Sequence, residues 1–363
     1  MTRQPALGYM PALDGLRACA VGAVILLHSG LGVAPGGTLG VDVFFVLSGF
    51  LITSLLVEEH DATATVDLRA FYLRRVLRLM PALVCLVVAT LVLSLSGVLS
   101  LPAEFDRGAV LRGSAIAVTY LTDLAIAFTH VTVGPFFHLW SLAIEEHFYL
   151  LWPWALLAML RSGWARRRVI AFLLCAMLAV AVWRAVVFLV WGAGGHALYS
   201  FDTQADHLLA GCGLAFGLPW LRRRAGDPVF RGRLRAVAVV AAAGLTALVL
   251  VPLSDAALAL GGFVLIYLLA TCVIAHLVSG APLGPFQPLS WPLMVYLGKL
   301  SYALYLWHFV VFHALTAGTL GVSKSTSIVV RVAVAFALSA ASYHLVERYF
   351  LSKKPPRPRL VRA

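Results

Sequence analysis

The sequence predicts an all-α, polytopic membrane protein with about ten transmembrane helices. Three observations predict it. The 363 residues are 61% hydrophobic and only 12% charged, with mean hydropathy +0.92, whereas soluble domains carry roughly 25% charged residues. The apolar residues fall in runs of about 20, the length a helix needs to cross the hydrocarbon core. The Lys and Arg residues are sorted to one side of those runs. This composition excludes a soluble enzyme, a disordered chain and a nucleic-acid-binding domain, and the net charge of +12 then reads as an orientation signal.

The apolar runs lie near 16–34, 39–57, 79–99, 138–160, 169–191, 205–221, 236–253, 257–278, 296–318 and 327–350. In lipid the backbone must satisfy its own hydrogen bonds, so each run is expected to be a helix. An eleventh candidate near 109–129 contains Arg112 and Asp123. With ten spans and the N-terminus inside, 22 Lys/Arg face the cytoplasm and four (Arg107, Arg112, Lys324, Arg331) face outward; Arg17 and Arg184 remain within or at the ends of spans. An eleventh crossing reverses the later arginine clusters, against the positive-inside rule. Residues 100–137 are therefore expected to be external or re-entrant, with both termini cytoplasmic. The expected membrane domain is 1–352, followed by a short disordered basic tail, 353–363. The first apolar run lacks a small-residue cleavage site, so it is expected to remain as a span, and no soluble appendage is evident. Cys19, Cys85, Cys175, Cys212 and Cys272 stand singly in apolar runs, without metal-ligand or redox spacing.

Ionisable groups inside a bilayer are candidates for function. Arg17 and His28 are eleven residues apart, which puts them within about 20° of one helix face and about 16 Å apart along it. Arg17 also fits a simple interfacial anchor, and His28 a satisfied buried histidine. In Phe137–Tyr149, His138, Glu145 and Tyr149 fall at offsets 0, 7 and 11 with Ser141 beside them, so a histidine–carboxylate pair on one helix face is expected. Gly36 and Gly37 fit a tight external turn before the second span, in which Asp42 and Ser48 are polar and Gly49 permits close helix approach. Arg75 and Arg78 share a face at the end of the first cytoplasmic loop and suit bidentate phosphate contacts, or equally an anionic lipid surface. Tyr302, Tyr305, Trp307 and His308 near the last spans also fit an interfacial aromatic belt.

Some chemistry has no motif here. There is no GxxxxGK[ST] loop, G-x-S-x-G elbow, H-x-x-x-D or HExxH, so no metal or bound cofactor is expected.

Six stretches together resemble the acyltransferase-3 family of bacterial integral-membrane O-acyltransferases: Tyr9–His28, Gly37–Thr53, Phe71–Pro81, Phe137–Pro153, Phe201–Phe216 and Ser301–His308. They occur in the family's order and cover nearly the whole chain. The resemblance implies a ten-helix domain in the bacterial cytoplasmic membrane and transfer of an acyl group, commonly acetyl, from acyl-CoA to a hydroxyl, typically on a sugar. The family's Arg-x10-His signature falls on Arg17 and His28, its Arg-x-x-Arg on Arg75 and Arg78, and its glutamate after Trp-Ser on Glu145. Two positions depart from the family pattern: His147 stands where glutamine is common and Gln204 where arginine is common. Many members also carry an extracytoplasmic domain that these residues do not include.

The expected mechanism is attack of an acceptor hydroxyl on the acyl-CoA thioester. His28 is the expected general base, oriented by Glu145 or Asp42, while Arg17, Arg75 and Arg78 hold the donor. His138, Ser141, Tyr149 and His308 are further candidates on the acceptor side. Expected partners are acyl-CoA, a glycan or small hydroxylated acceptor, and membrane lipid, without nucleic acid. Two alternatives stay open from sequence: an acyltransferase for a secondary metabolite such as a macrolide, and a transporter or flippase of a sugar or lipid-linked substrate.

Overall fold

The computed structural model describes residues 8–99, 101–102, 105–129, 131–192 and 194–355. Arg3 and positions 356–363 of the expected tail lie outside the described residues. From the N-terminus come α1 (Pro11–His28), α2 (Leu39–Thr63) and α3 (Leu68–Leu95), then the short α4 (Arg107–Val118) and α5 (Thr122–Phe128). A 3-10 turn, Gly134–Leu139, leads into α6 (Trp140–Arg161) and α7 (Arg166–Trp191). A short α8 (Gly194–Tyr199) precedes α9 (Phe201–Arg224) and α10 (Pro228–Leu250). The last long helices are α11 (Asp255–Val278), α12 (Pro292–Ala314) and α13 (Lys324–Ser352). There is no strand among the described residues.

The chain is a polytopic helical membrane protein. Among the described residues, eight helices are able by length and composition to cross a bilayer: α1, α2, α3, α7, α10, α11, α12 and α13. The other two expected spans, α6 and α9, are 22 and 24 residues long. Glu145, Glu146 and His147 in α6, and Asp202, Asp206, His207 and three arginines in α9, dilute their apolar character. Helices α4 and α5 have 12 and 7 residues; at 1.5 Å per residue they reach about 18 and 11 Å, short of a ~30 Å core. The 109–129 run is therefore not a spanning helix.

One boundary differs from expectation in a way that matters for the site. Helix α3 begins at Leu68, so Arg75 and Arg78 lie within it, not at the end of a loop. Asp67 caps it by accepting the Ala70 N–H at 2.9 Å, and arginine is a good helix former, so the helix extends through the basic segment. The arginine-rich connections cluster at one end of the bundle, called here the basic end; the opposite end is the far end.

Helices α2 and α12 form the centre, with 78% and 72% of their apolar windows buried, whereas α10 has 11% and presents most of its surface outward. Helix α2 packs on α1, α9, α6 and α11, and α1 on α12. Without a hydrophobic force between helices in lipid, small residues set how closely backbones approach. A Cβ on Gly49 would lie 1.9 Å from the Leu208 carbonyl oxygen, and one on Gly211 2.1 Å from that of Val46. The α2–α9 contact therefore depends on both glycines, as the sequence suggests for Gly49. Gly49→Ala is expected to cost about 1–3 kcal/mol by forcing the helices apart; an unchanged melting temperature in detergent would contradict this. Gly36 and Gly37 do occupy a turn, but neither has a positive φ. Their lack of a side chain is what counts, since a Cβ would meet Leu248 O at 2.0 Å and Ala23 O at 2.2 Å respectively.

Candidate active site

A cavity of about 760 Å³ runs from Gly8, Tyr9, Glu58 and Lys354 at the basic end to Ser141 and Tyr305 inside the bundle. Its volume is that of a small-molecule or cofactor site. Arg17 of α1 and Arg74, Arg75 and Arg78 of α3 line it. Lys354 and Pro355 also line it, so the start of the expected disordered tail is instead part of the cavity wall.

The four guanidinium groups have different surroundings. Arg74 Nη2 lies 3.4 Å from Glu59 Oε2. Arg75 Nη2 donates to Glu146 Oε1 at 3.4 Å, and its guanidinium lies 3.6 Å from the centre of the Tyr149 ring, a cation–π contact. Among the described residues, no carboxylate oxygen lies within 4.0 Å of a guanidinium nitrogen of Arg17 or Arg78. Glu145 and the buried Glu347 lie near enough to Arg17 and Arg78 to interact electrostatically without direct contact, so both guanidiniums keep donors for water or an anionic ligand.

Glu145 is fixed from two sides: Ser48 Oγ donates to its Oε1 at 2.9 Å and Tyr149 OH to its Oε2 at 3.1 Å. The expected Glu145–Tyr149 face is present, but His138 is not on it. His138 belongs to the 3-10 turn before α6, where each residue turns about 120° in place of 100°, and its ring stacks on Phe309 at 4.8 Å. No His138–Glu145 pair forms. Ser141 and Tyr149, expected on the acceptor side, line the arginine cavity.

His28, His138 and His308 do not line that cavity but cluster beyond Tyr305. Ring centroids of His28 and His308 are 5.1 Å apart, and those of His138 and His308 5.5 Å. Tyr305 connects the two regions: its hydroxyl is 2.6 Å from Ser141 Oγ and donates to the His138 carbonyl. Each histidine has one ring nitrogen against a backbone carbonyl. His28 Nδ1 is 2.9 Å from Val24 O, His308 Nδ1 2.7 Å from Tyr305 O, and His138 Nε2 3.1 Å from Leu306 O. A carbonyl only accepts, so these nitrogens carry the proton and the tautomers are assigned by geometry. The other nitrogen of each neutral ring is then a free lone pair, and those of His138 and His308 have no hydrogen-bond partner. His28 is the least enclosed of the three. The rings do not converge on one point: no group of three His, Cys, Asp or Glu among the described residues is placed to hold a metal ion.

Neither carboxylate expected to orient His28 does so. Glu145 is bound to Ser48 and Tyr149, as above. Asp42 Oδ1 instead lies 3.2 Å from His207 Nε2 of α9. His207 Nδ1 is 3.0 Å from Asp206 Oδ1, and Asp206 receives a two-pronged contact from Arg184 of α7 at 3.0 and 2.9 Å. Val24 O, not a carboxylate, sets the His28 ring.

A model of the family described as an acyltransferase domain matches residues 10–344. The chain belongs to the acyltransferase-3 family. Within it, a peptidoglycan O-acetyltransferase of Listeria monocytogenes is 33% identical over 360 residues, covering 93% of this chain and 55% of that protein. An O-acetyltransferase of Staphylococcus aureus is 33% identical over 309 residues, covering 84% and 50% respectively. The chain thus spans about half the length of the curated relatives it matches. No solved structure matches it.

For this acyltransferase-3 chain the sequence indicated Arg17, Arg75, Arg78, Glu145 and Asp42 but not their grouping. It also missed Arg184, Asp206 and His207 as a unit. The available signal was Arg184 deep in a span and the adjacent Asp206-His207 in an otherwise apolar stretch. The Gln204 position, where the family often has arginine, has its Nε2 turned to the Leu198 carbonyl at 3.0 Å; a guanidinium nearby is supplied by Arg184. His147, the other departure, places Nδ1 3.3 Å from the buried Asp123 carboxylate.

Proposed function

We propose that this chain transfers an acyl group, acetyl first among them, from acyl-CoA at the cytoplasmic face of the bacterial inner membrane to a hydroxyl of a cell-envelope glycan. The observation that carries this reading is the cavity at the basic end, lined by Arg17, Arg74, Arg75 and Arg78, in which the Arg17 and Arg78 guanidiniums make no direct contact with a carboxylate among the described residues. Guanidinium groups match phosphate geometry, and acyl-CoA presents phosphates at one end of an extended chain and a thioester at the other. By the positive-inside rule the basic end is cytoplasmic, the side where acyl-CoA is found. The relatives' names supply the acceptor class, and peptidoglycan is the first acceptor to try.

In this reading Arg17, Arg75 and Arg78 hold the phosphates, and the pantetheine arm runs along the cavity towards Ser141 and Tyr305. The acceptor hydroxyl loses its proton to His28 Nε2, the nitrogen left free by the Val24 contact. Its oxygen attacks the thioester carbonyl, an acyl–O bond forms and the acyl–S bond breaks. The imidazolium then returns the proton to the departing CoA sulfur, so no net proton is gained by the protein. Glu145 positions Tyr149 beneath Arg75.

The test uses purified protein in nanodiscs with acetyl-labelled CoA and soluble peptidoglycan fragments, following CoA release and label on the glycan together. Equal amounts of both products are expected. Arg75→Ala and Arg78→Ala are each expected to raise the KM for acetyl-CoA about 10–100-fold, the worth of one charged hydrogen bond, with little change in acceptor KM. If only the amount of inserted protein falls and donor KM is unchanged, those arginines serve topology alone.

A further inference from the structure

A second cavity, about 170 Å³, opens between the far-end segments of the bundle and is lined by Asp42, Trp140, Leu198, Tyr199, Asp255 and Phe263 among others. It shares no lining residue with the arginine cavity. The two are neighbours through one wall. Val41 faces the arginine cavity and Asp42 the far-end pocket; likewise Ser141 faces the first and Trp140 the second.

Asp42 is 4% exposed and is the last member of a chain of alternating charge. Arg184, Asp206 and His207 stand behind it, each 0% exposed, and with His207 doubly protonated the four groups sum to zero. Burying such a row is expensive, and replacement by apolar side chains is often neutral or stabilising. Its geometry has a consequence stability does not require: the outermost carboxylate, 3.2 Å from His207 Nε2, stands at a pocket wall. Trp140 and Tyr199 flank it with rings 5.0 Å apart. Phe263 also lines the pocket, with its ring 5.3 Å from that of His207, just after a kink at Gly261, whose φ of 153° is not helical.

We propose that this far-end pocket is the acceptor subsite and takes a sugar ring. The inference rests on the glycan reading above and deepens it. A pyranose has apolar C–H faces and a rim of hydroxyls. Aromatic rings beside a carboxylate meet both needs, with Tyr199 against the C–H face, Trp140 set edge-on to it, and Asp42 accepting a hydrogen bond from a hydroxyl. The subsite then holds one sugar ring of the acceptor on the far-end side of the Val41–Asp42 and Trp140–Ser141 wall, apart from His28, which does not line the pocket; the hydroxyl that reacts belongs to a part of the glycan outside it. His207, Asp206 and Arg184 act through Asp42 and are positioning residues.

The experiment measures binding of N-acetylglucosaminyl-N-acetylmuramic acid oligosaccharides and of acetyl-CoA separately, on full-length protein in nanodiscs, then acceptor KM and kcat. Asp42→Asn is expected to raise the saccharide Kd and the acceptor KM at least tenfold, and Tyr199→Leu about tenfold, with acetyl-CoA affinity within twofold of wild type. Should Asp42→Asn fail to fold, Tyr199→Leu decides alone, because Tyr199 is not part of the charged row. Folded variants that bind acetyl-CoA and bind saccharide like wild type would overturn the pocket assignment while leaving the glycan reading intact. Wild type that binds acetyl-CoA but no saccharide would overturn the glycan reading, and the pocket assignment with it.

Discussion

Replacing His28 with alanine is expected to lower acyl transfer by about 10²–10⁴-fold, the usual contribution of a general base, while insertion and acetyl-CoA binding persist. Three features favour His28 over its neighbours. Its Nδ1 is held by Val24 O at 2.9 Å, so the lone pair on Nε2 is directed by the helix itself. It sits at the last residue of α1, on the far side of Tyr305 from the arginine cavity, where an acceptor arriving from the far end can meet it. It is also half-buried, whereas His138 and His308 are 3% and 0% exposed. Those two are expected to support the ring by packing, so His308→Gln and His138→Gln should have smaller effects on kcat than His28→Ala. The check is single-turnover transfer with saturating donor and acceptor, on protein shown by size exclusion to be folded. Near-wild-type turnover of His28→Ala would remove it from the mechanism.

The largest expected effect on stability is at Arg184. Its guanidinium is wholly buried and donates to Thr203 O at 2.6 Å and to both oxygens of Asp206. Arg184→Met keeps much of the volume but leaves Asp206 without its strongest partner. Breaking one side of a buried ion pair costs about 3–5 kcal/mol, which here would appear as a marked fall in the melting temperature of solubilised protein. The double variant Arg184→Met/Asp206→Leu removes both charges and is expected to recover a substantial part of the loss. A single variant that melts within a degree of wild type would show that the row contributes nothing to the fold.

The positions of the long helices were legible from hydropathy because lipid tolerates few alternatives for a spanning backbone. Their ends were less so. Helix α3 starts eleven residues before the apolar run at 79, since arginine favours helix and Asp67 caps it, and hydropathy is blind to both. Helices α6 and α9 were also located as apolar runs, although their polar residues lower the signal that marks a span.

Site residues were legible individually, as polar groups in expensive places, and Glu145 with Tyr149 could be paired because four residues along one helix is a local distance. The pairs that cross between helices were not. Asp42 meets His207, separated from it by 165 positions in the sequence, and that meeting depends on how closely α2 and α9 pack at Gly49 and Gly211. His138 turns away from Glu145 because the 3-10 turn Gly134–Leu139 ends between them, so the two are not on one continuous α-helix, a break that periodicity cannot foresee.

By itself, then, the sequence determined the solvent, the helical class, the sorting of basic residues to one end and the short roll of polar residues that lipid makes costly. Only the tertiary structure decided that these residues divide between two cavities on either side of one wall, with three histidines beyond Tyr305. The reason is physical. Hydropathy and periodicity are properties of neighbouring positions, whereas charges find partners through helix packing, and that packing is set by small residues and turns far apart in the chain.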